Sequence, residues 1–268
     1  MVEQLVDRNA SINNAICLAI LAAVPCEIEA KDAQIAHPIS NALLDGLPAL
    51  QRDSLLARME PVTLPVGAVI ARPGEVPEYV HFMTSGITSV VTFMANGNGA
   101  EVQLIGREGL VEGISLIGPA TAPTNAFVQV EGTALRMKFS EFRKELFASE
   151  LLLHRVLESV QCQAFILSQL AACNGLHEIE QRLARWLLMV QDRVGSHTFY
   201  LTQEFLAEMI GARRTSVTVA AGGLQKRGLI EYRRGHITIA DREGLQAAAC
   251  ECYPIVYGLT LNLYQSTA

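Results

Sequence analysis

At 268 residues with a net charge of −6, half of them hydrophobic and 18% charged, the chain is globular, with room for two modest domains. That acidic balance excludes a protein that coats nucleic acid indiscriminately, but leaves room for a local basic patch. Six cysteines, at 17, 26, 162, 173, 250 and 252, are too sparse for a disulfide scaffold, and none forms the C-x₂-C pairs of a zinc or iron–sulfur site.

Residues 1–36 read as an N-terminal extension. Its apolar run Ala15–Val24 is too short to span a bilayer. Glu3 and Asp7 against Arg8 leave no basic leader, so neither a membrane anchor nor a signal peptide is expected. From His37 the chain becomes regular, with short helices either side of Pro48. Between Pro61 and Phe139 the pattern is of short strands: Val62–Leu64, Val69–Ala71, Tyr79–Met83, Ile87–Met94, Ala100–Ile105, Ala126–Val130 and Ala134–Phe139. Glycine turns separate them, among them Pro65-Val66-Gly67, Arg72-Pro73-Gly74 and Thr84-Ser85-Gly86. Short strands with no helices between them predict an antiparallel barrel, jelly roll or sandwich, folds that often enclose a ligand cavity.

A long helical segment follows, over 141–173. Leu153, Leu157, Val160, Ala164, Leu167 and Ala171 recur at spacings of four and three, a seam that fits either a two-helix dimer or a single-chain core. A second helix, Glu178–Asp192, puts Leu183, Trp186, Leu187 and Val190 on one face.

The most informative stretch is Leu201–Ile239. Thr202 is a favourable N-cap and Glu204 sits in the first turn, where the helix dipole prefers an acid. Leu206, Ala207 and Ile210 line one face, and Gly211 ends the helix. A second helix resumes near Arg214 and turns Val217, Ala220 and Leu224 inward. This is the helix-turn-helix pattern, whose second helix enters a DNA major groove. Its outward residues are Arg213, Arg214, Thr215, Ser216 and Thr218, types that reach guanine, phosphate or base edges. Lys226 follows, and Glu231–Ile239 reads as a hairpin wing with Arg233 and Arg234 at its tip. Within Leu201–Ala240 six Lys/Arg face three Glu, a local +3 on a body of −9. Double-stranded DNA is the implied partner. The dimer reading of the upstream seam gains weight accordingly, because such proteins read two half-sites through a two-fold axis.

Catalytic motifs are missing: no G-x-S-x-G, P-loop or H-E-x-x-H occurs. A metal-dependent oxygenase would need paired histidines in the barrel, where His81 stands alone. Cys162 and Cys173 read as small buried hydrophobes, and Cys250-x-Cys252 is the only close pair, a candidate redox or metal handle. The expectation is reduced thiols in a cytoplasm, no metal, no cofactor and no enzyme activity. The competing reading is a small-molecule-binding barrel, or an enzyme, whose C-terminal domain makes protein contacts.

The succession of glycine-punctuated strands, long helix and winged helix-turn-helix resembles the Crp/Fnr family of bacterial transcription regulators, over roughly His37 to Cys252. The likeness is strongest at Glu180-Gln181-Arg182-Leu183-Ala184-Arg185-Trp186-Leu187 and at Leu201–Ile239. It implies an α+β architecture: a β-roll sensor of jelly-roll type (37–140), a dimerisation helix (141–173), a winged helix-turn-helix (174–252) and a tail (253–268). It further implies a homodimer on a palindromic operator, in contact with RNA polymerase. Base reading falls on Arg214 with Thr215 and Thr218, and phosphate contacts on Thr202, Ser216 and the wing arginines. The family's cyclic-AMP binders carry F-G-E, then an arginine and alanine that hold the cyclic phosphate. Here the corresponding run, Leu110-Val111-Glu112-Gly113-Ile114-Ser115-Leu116, has Gly and Glu reversed, and Pro123-Thr124-Asn125-Ala126 has no arginine. Glu112, Gly113 and Asn125 are thus candidate pocket residues, but cyclic AMP bound in the usual manner is not expected, since a buried phosphate without its guanidinium loses a charge-assisted bidentate contact. The effector is left open. Cys17 and Cys26 alone do not supply the cysteine cluster of the family's oxygen sensors.

Overall fold

A computed structural model describes residues 40–95 and 98–264. The N-terminal extension, with Ala15–Val24, Cys17 and Cys26, lies outside the described residues. Two short helices open the described chain, α1 (Ala42–Asp45) and α2 (Ala49–Leu56). Asn41 fixes α1 in place: its Oδ1 accepts from the backbone of Leu43 and Leu44, and its Nδ2 donates to the carbonyls of Met83 and Gly109 at 2.9 and 2.8 Å. A buried amide with its bonding capacity used this fully costs little and fixes one geometry.

Eight strands follow: β1 (Glu60–Leu64), β2 (Val69–Ala71), β3 (Tyr79–Met83), β4 (Ile87–Phe93), β5 (Gly99–Ile105), β6 (Leu110–Val111), β7 (Asn125–Val130) and β8 (Gly132–Lys138). They pair antiparallel into two four-stranded sheets, ordered β1-β8-β3-β6 and β2-β7-β4-β5. Leu64, Met83, Val111 and Ala134 of the first meet Ala71, Val90, Ile105, Ala126 and Val128 of the second in one apolar core. Each sheet is also covered on its outer face. Val80, Phe82, Leu135 and Met137 pack under the flanking helices, while Ile87, Val91 and Leu104 join the helical C-terminal core. Cover on both faces explains why β3 and the first five residues of β4 are buried at nearly every position.

The expectation of no helix between the strands is corrected by α3 (Gly113–Ile117), a single turn after the two-residue β6. The long helical segment is two helices, α4 (Phe139–Ala148) and α5 (Glu150–Leu176). Ser149 separates them in an extended conformation: its hydroxyl accepts from Leu152 N and receives Gln51 Nε2 at 2.6 Å, an N-cap that restarts the helix in a new direction. The expected end of the segment at Cys173 moves as well, because α5 runs through Asn174-Gly175 and stops at His177.

Helix α5 has two apolar stripes. Leu152 and Val156 enter the core of the roll's flanking helices, and Cys162, Ile166 and Leu170 enter the C-terminal core. The predicted seam lies on the other side: Leu157 and Leu167 are 43% and 46% exposed, Ala164 and Ala171 are exposed, and Leu153 and Val160 are half-buried. Among the described residues α5 alone is long and apolar enough to cross a bilayer. Its buried stripe is committed to the protein's own cores.

The remaining elements are α6 (Ile179–Val194), β9 (Thr198–Tyr200), α7 (Gln203–Met209), α8 (Arg214–Lys226), β10 (Ile230–Arg233), β11 (His236–Ile239), α9 (Arg242–Ala248) and α10 (Cys252–Leu261). Leu183, Trp186, Leu187 and Val190 of α6 are buried at the centre of this core, as expected. The region read as a loose tail from Tyr253 is instead α10. Tyr253 and Val256 are buried, and the Tyr253 hydroxyl bridges Asp192 and Arg242 at 3.0 and 2.8 Å.

Candidate nucleic-acid interface

The helix-turn-helix is built as its sequence dictates. Thr202 caps α7, its Oγ1 accepting from Phe205 N at 3.1 Å. Gly211 adopts φ +58°, where a side chain would be strained, and turns the chain toward α8. Leu206, Ala207 and Ile210 of the first helix meet Val217, Ala220 and Leu224 of the second, all buried. Arg213 holds the N-cap position of α8 with no side-chain cap bond. Strands β10 and β11 form the wing and β9 joins it as a third strand. The wing turn is Arg234-Gly235, with φ of 49° and 83°, both left-handed, which suits a tight two-residue hairpin.

This framework presents a cationic face. Arg213, Arg214, Lys226, Arg233 and Arg234 are all exposed, and among the described residues none has a carboxylate within ion-pair distance. Arg227 differs: it pairs with Glu180 of α6 at 2.6 Å and so belongs to the scaffold. Thr215 is exposed and Ser216 half-buried. The Thr218 hydroxyl is held between Gln203 Oε1 and the Arg214 carbonyl at 2.8 and 2.9 Å, which makes it a clamp between the two helices. The sequence reading missed Val219, an aliphatic side chain 76% exposed on the same face of α8. Its position one residue after Thr218 is the available signal, and an exposed aliphatic group there suits a thymine methyl. Tyr200 and His236, stacked edge-on with centroids 5.2 Å apart, flank the wing tip.

The candidate pocket residues lie in the β-roll. Glu112 is buried with φ 68° at the N-terminus of α3, and its Oε2 accepts from the Ser115 hydroxyl at 2.7 Å. Burial pushes its carboxyl above the usual range, offset only by that hydroxyl; no cation contributes. Gly113 is buried at the start of α3, and Asn125, half-buried, pairs with Val91 at the edge of β7. His81 is buried on β3 and held down to about 4, first by burial and then by Arg136, so it stays neutral.

Comparison with known proteins agrees with this division. The profile of the cyclic nucleotide-binding domain matches residues 61–149, and that of the Crp-like helix-turn-helix domain matches residues 181–248. Together they take in more than half of the chain. The chain belongs to the Crp/Fnr family. A CRP-like cAMP-activated global transcriptional regulator of Mycobacterium tuberculosis is 24% identical over 203 residues, covering 73% of this chain and 91% of its own. Among solved structures, a Crp/Fnr-family regulator from Eubacterium rectale superposes with a TM-score of 0.62 at 15% identity, covering 77% of this chain and 96% of its own. FixK2 from Bradyrhizobium japonicum gives 0.61 at 14%, covering 72% and 98%. The c-di-GMP-responsive regulator CLP of Xanthomonas campestris gives 0.60 at 15%, covering 72% and 99%.

This Crp/Fnr protein is therefore a Crp-like transcription regulator with a cyclic-nucleotide-binding-type domain and a helix-turn-helix domain, in a family of regulators rather than enzymes. Its two halves meet through polar contacts that sequence spacing does not announce. Trp186 of α6 donates its indole N–H to Glu101 Oε1 of β5 at 2.7 Å, and Arg193 pairs with Glu108 at 2.7 Å, both side chains largely buried. Glu101 keeps part of its stem in solvent, but its Oε2 is buried without a partner, and burial raises its carboxyl to about 7 despite the indole, Ser89, Arg185 and Arg193. A Cβ on Gly211 would stand 3.4 Å from the Ala100 methyl, so the helix-turn-helix rests its turn against the β-roll.

Proposed function

We propose that this regulator binds DNA in a sequence-specific manner as a homodimer on a palindrome, acts in the cytoplasm on transcription through RNA polymerase, and uses a β-roll that does not clamp a cyclic phosphate. The observation that carries the reading is the set of exposed, unpaired cations on α8 and the wing, above a helix-turn-helix core that is fully packed. Arg214, at the first turn of α8, is the base-reading candidate. Arg233, Arg234, Lys226, Thr202 and Ser216 are the phosphate-contacting ones. The seam Leu153, Leu157, Val160, Ala164, Leu167 and Ala171, half-buried at Leu153 and Val160 and exposed at the other four, supports the dimer, because the opposite stripe of the same helix is already buried. The working domains are the roll (37–140), the long helix and a DNA-binding unit that begins near 174 and takes in α10.

Against cyclic AMP, the effector in the name of the mycobacterial relative, stands the pocket itself: Glu112 is a buried acid with no cation beside it. Selection from a random oligonucleotide pool tests the DNA reading. The expected product is a two-fold palindrome with half-sites roughly 10 bp apart, centre to centre. No enrichment at moderate salt would favour a barrel whose C-terminal domain serves protein contacts.

A further inference from the structure

Four potential metal ligands that are scattered in the sequence converge where α5 ends. Cys173 lies in its last turn and His177 is its C-cap, while Cys250 and Cys252 flank the junction of α9 and α10. Their ligand atoms all lie within 4.8 Å of one another, with Cys173 Sγ 3.5 Å from Cys250 Sγ and Cys252 Sγ 3.5 Å from His177 Nδ1. The three thiols are buried and free. We propose that Cys173, His177, Cys250 and Cys252 form a mononuclear site for a thiophilic divalent ion, zinc by preference, which ties the end of α5 to the α9–α10 junction.

The geometry selects the class of ion. Zinc–sulfur bonds of about 2.3 Å place the corners of a tetrahedron about 3.8 Å apart, which these separations match after small side-chain rotations. An iron–sulfur cluster holds its cysteines around several metal atoms and needs them further apart. Three cysteines and one histidine also make a closed set, the composition of structural zinc sites.

The surroundings point to a ligand independently. His177 Nε2 lies 3.1 Å from Glu251 Oε1, a spacing that favours the tautomer in which Nε2–H donates to the carboxylate and Nδ1 keeps its lone pair toward the thiols. That is the outer-shell arrangement that orients metal-binding histidines. Gln169 Nε2 donates to Cys252 Sγ at 3.1 Å. Arg182 and Arg185, only 7% and 3% exposed, face the same cluster and have no carboxylate within ion-pair distance among the described residues. Arg182 donates to the carbonyls of Asn174 and Ile210, Arg185 donates to Met189 Sδ, and each keeps a buried Nε without a partner. Two buried guanidinium groups require nearby negative charge. Three thiolates and a neutral imidazole around a dication carry a net −1, which supplies it.

None of the four ligands falls within the matched ranges 61–149 and 181–248. The expectation of no metal site rested on C-x₂-C spacing in the sequence, a test that cannot see ligands brought together by α5 and α10. Because His177 and Glu178 are the link between α5 and α6, an ion held there would fix how the long helix passes into the reading domain.

The test uses the full chain without tag histidines, purified under reducing conditions. Elemental analysis is expected to find one zinc per chain, and cobalt substitution to give the visible bands of tetrahedral thiolate coordination. Cys250→Ser with Cys252→Ser should abolish both, while Cys162→Ser, on α5 but outside the cluster, should change neither. Glu251→Gln should keep the cobalt spectrum and weaken affinity about tenfold, the lower end for outer-shell partners, since the carboxylate is largely exposed. Wild-type protein that gives no tetrahedral cobalt spectrum when reduced and titrated would overturn the proposal. So would a spectrum unchanged in the double serine variant, or a Cys173–Cys250 disulfide in fresh protein that takes up no metal once reduced. None of these readouts involves DNA, so they stand apart from the DNA-binding proposal.

Discussion

Two helix N-termini in this protein carry opposite charges on different backbones, left-handed at α3 and extended at α8. At α8 the N-cap is Arg213, exposed and followed by Arg214; at α3 it is Glu112, buried and followed by a glycine. Neither makes a side-chain cap bond. The base at α8 is unpaired and faces outward, the disposition a polyanion needs. The acid at α3 is buried, and among the described residues its side-chain partner is the Ser115 hydroxyl. The output half thus presents free cations at this helix start, and the input half presents a buried carboxyl group.

The sharpest way to break this contrast is to disable the output by means that leave both N-termini intact. Leu157→Asp with Leu167→Asp on α5 should turn a dimer into a monomer in sedimentation experiments. Palindrome binding should fall roughly 100-fold or more, since each sequestered leucine is worth about 1.5–3 kcal/mol. A variant that stays dimeric would show that the exposed stripe is not the seam. Next in size is Arg214→Ala, which should cost about 1–3 kcal/mol and relax preference at one base pair per half-site. Unchanged affinity and preference would remove Arg214 from the reading role. On the input side, calorimetry with cyclic AMP or cyclic GMP should give no saturable heat at micromolar concentration, and binding of either would overturn the reading of a β-roll that does not clamp a cyclic phosphate.

The contact between the halves gives a pH test of similar size. With its carboxyl raised to about 7, Glu101 contributes its full stability below its unfolded value near 4.5 and loses it as pH rises through about 7. Glu101→Gln should therefore flatten the fall in stability between those values and stabilise the protein by roughly 1–3 kcal/mol at pH 8. Subtracting the wild-type profile isolates this effect from His81, whose lowered value makes its own contribution grow with pH between about 4 and 6.5. An unaltered profile would show that the carboxyl is solvated. The smallest effect belongs to the wing. Arg233→Ala with Arg234→Ala, which removes two cations from each protomer, should weaken all sequences alike and reduce the salt slope of the dimer by about 4.

Much of this was legible in the chain. The seven strands read from alternation and glycine turns fall within about two residues of their observed bounds, because each is short, apolar and punctuated. Thr202, Gly211 and the Arg234-Gly235 turn announce the winged helix-turn-helix, since each occupies a position whose backbone demands that type of residue. What escaped did so for physical reasons. Leu110-Val111 is too short to show a period, and α3 follows it without a break. Ser149 was hidden inside an otherwise continuous helical pattern, although a serine before Glu150 is itself an N-cap signal. Helix α10 lacks polar alternation because it packs against both α5 and α6. The convergence of Cys173 with Cys250 crosses 77 positions of sequence, a distance no spacing rule covers.

Trp186 is the chain's single tryptophan, and its indole nitrogen ends on a carboxyl group belonging to the other half of the molecule. The protein thus carries its own optical reporter. Ionisation of Glu101 places a negative charge at the pyrrole end of the indole, and separation of the halves exchanges that charge for water; each changes the emission maximum. Ultraviolet fluorescence of the unlabelled protein can therefore follow whether the reading half is docked on the sensing half, as pH, DNA or an added ligand is varied.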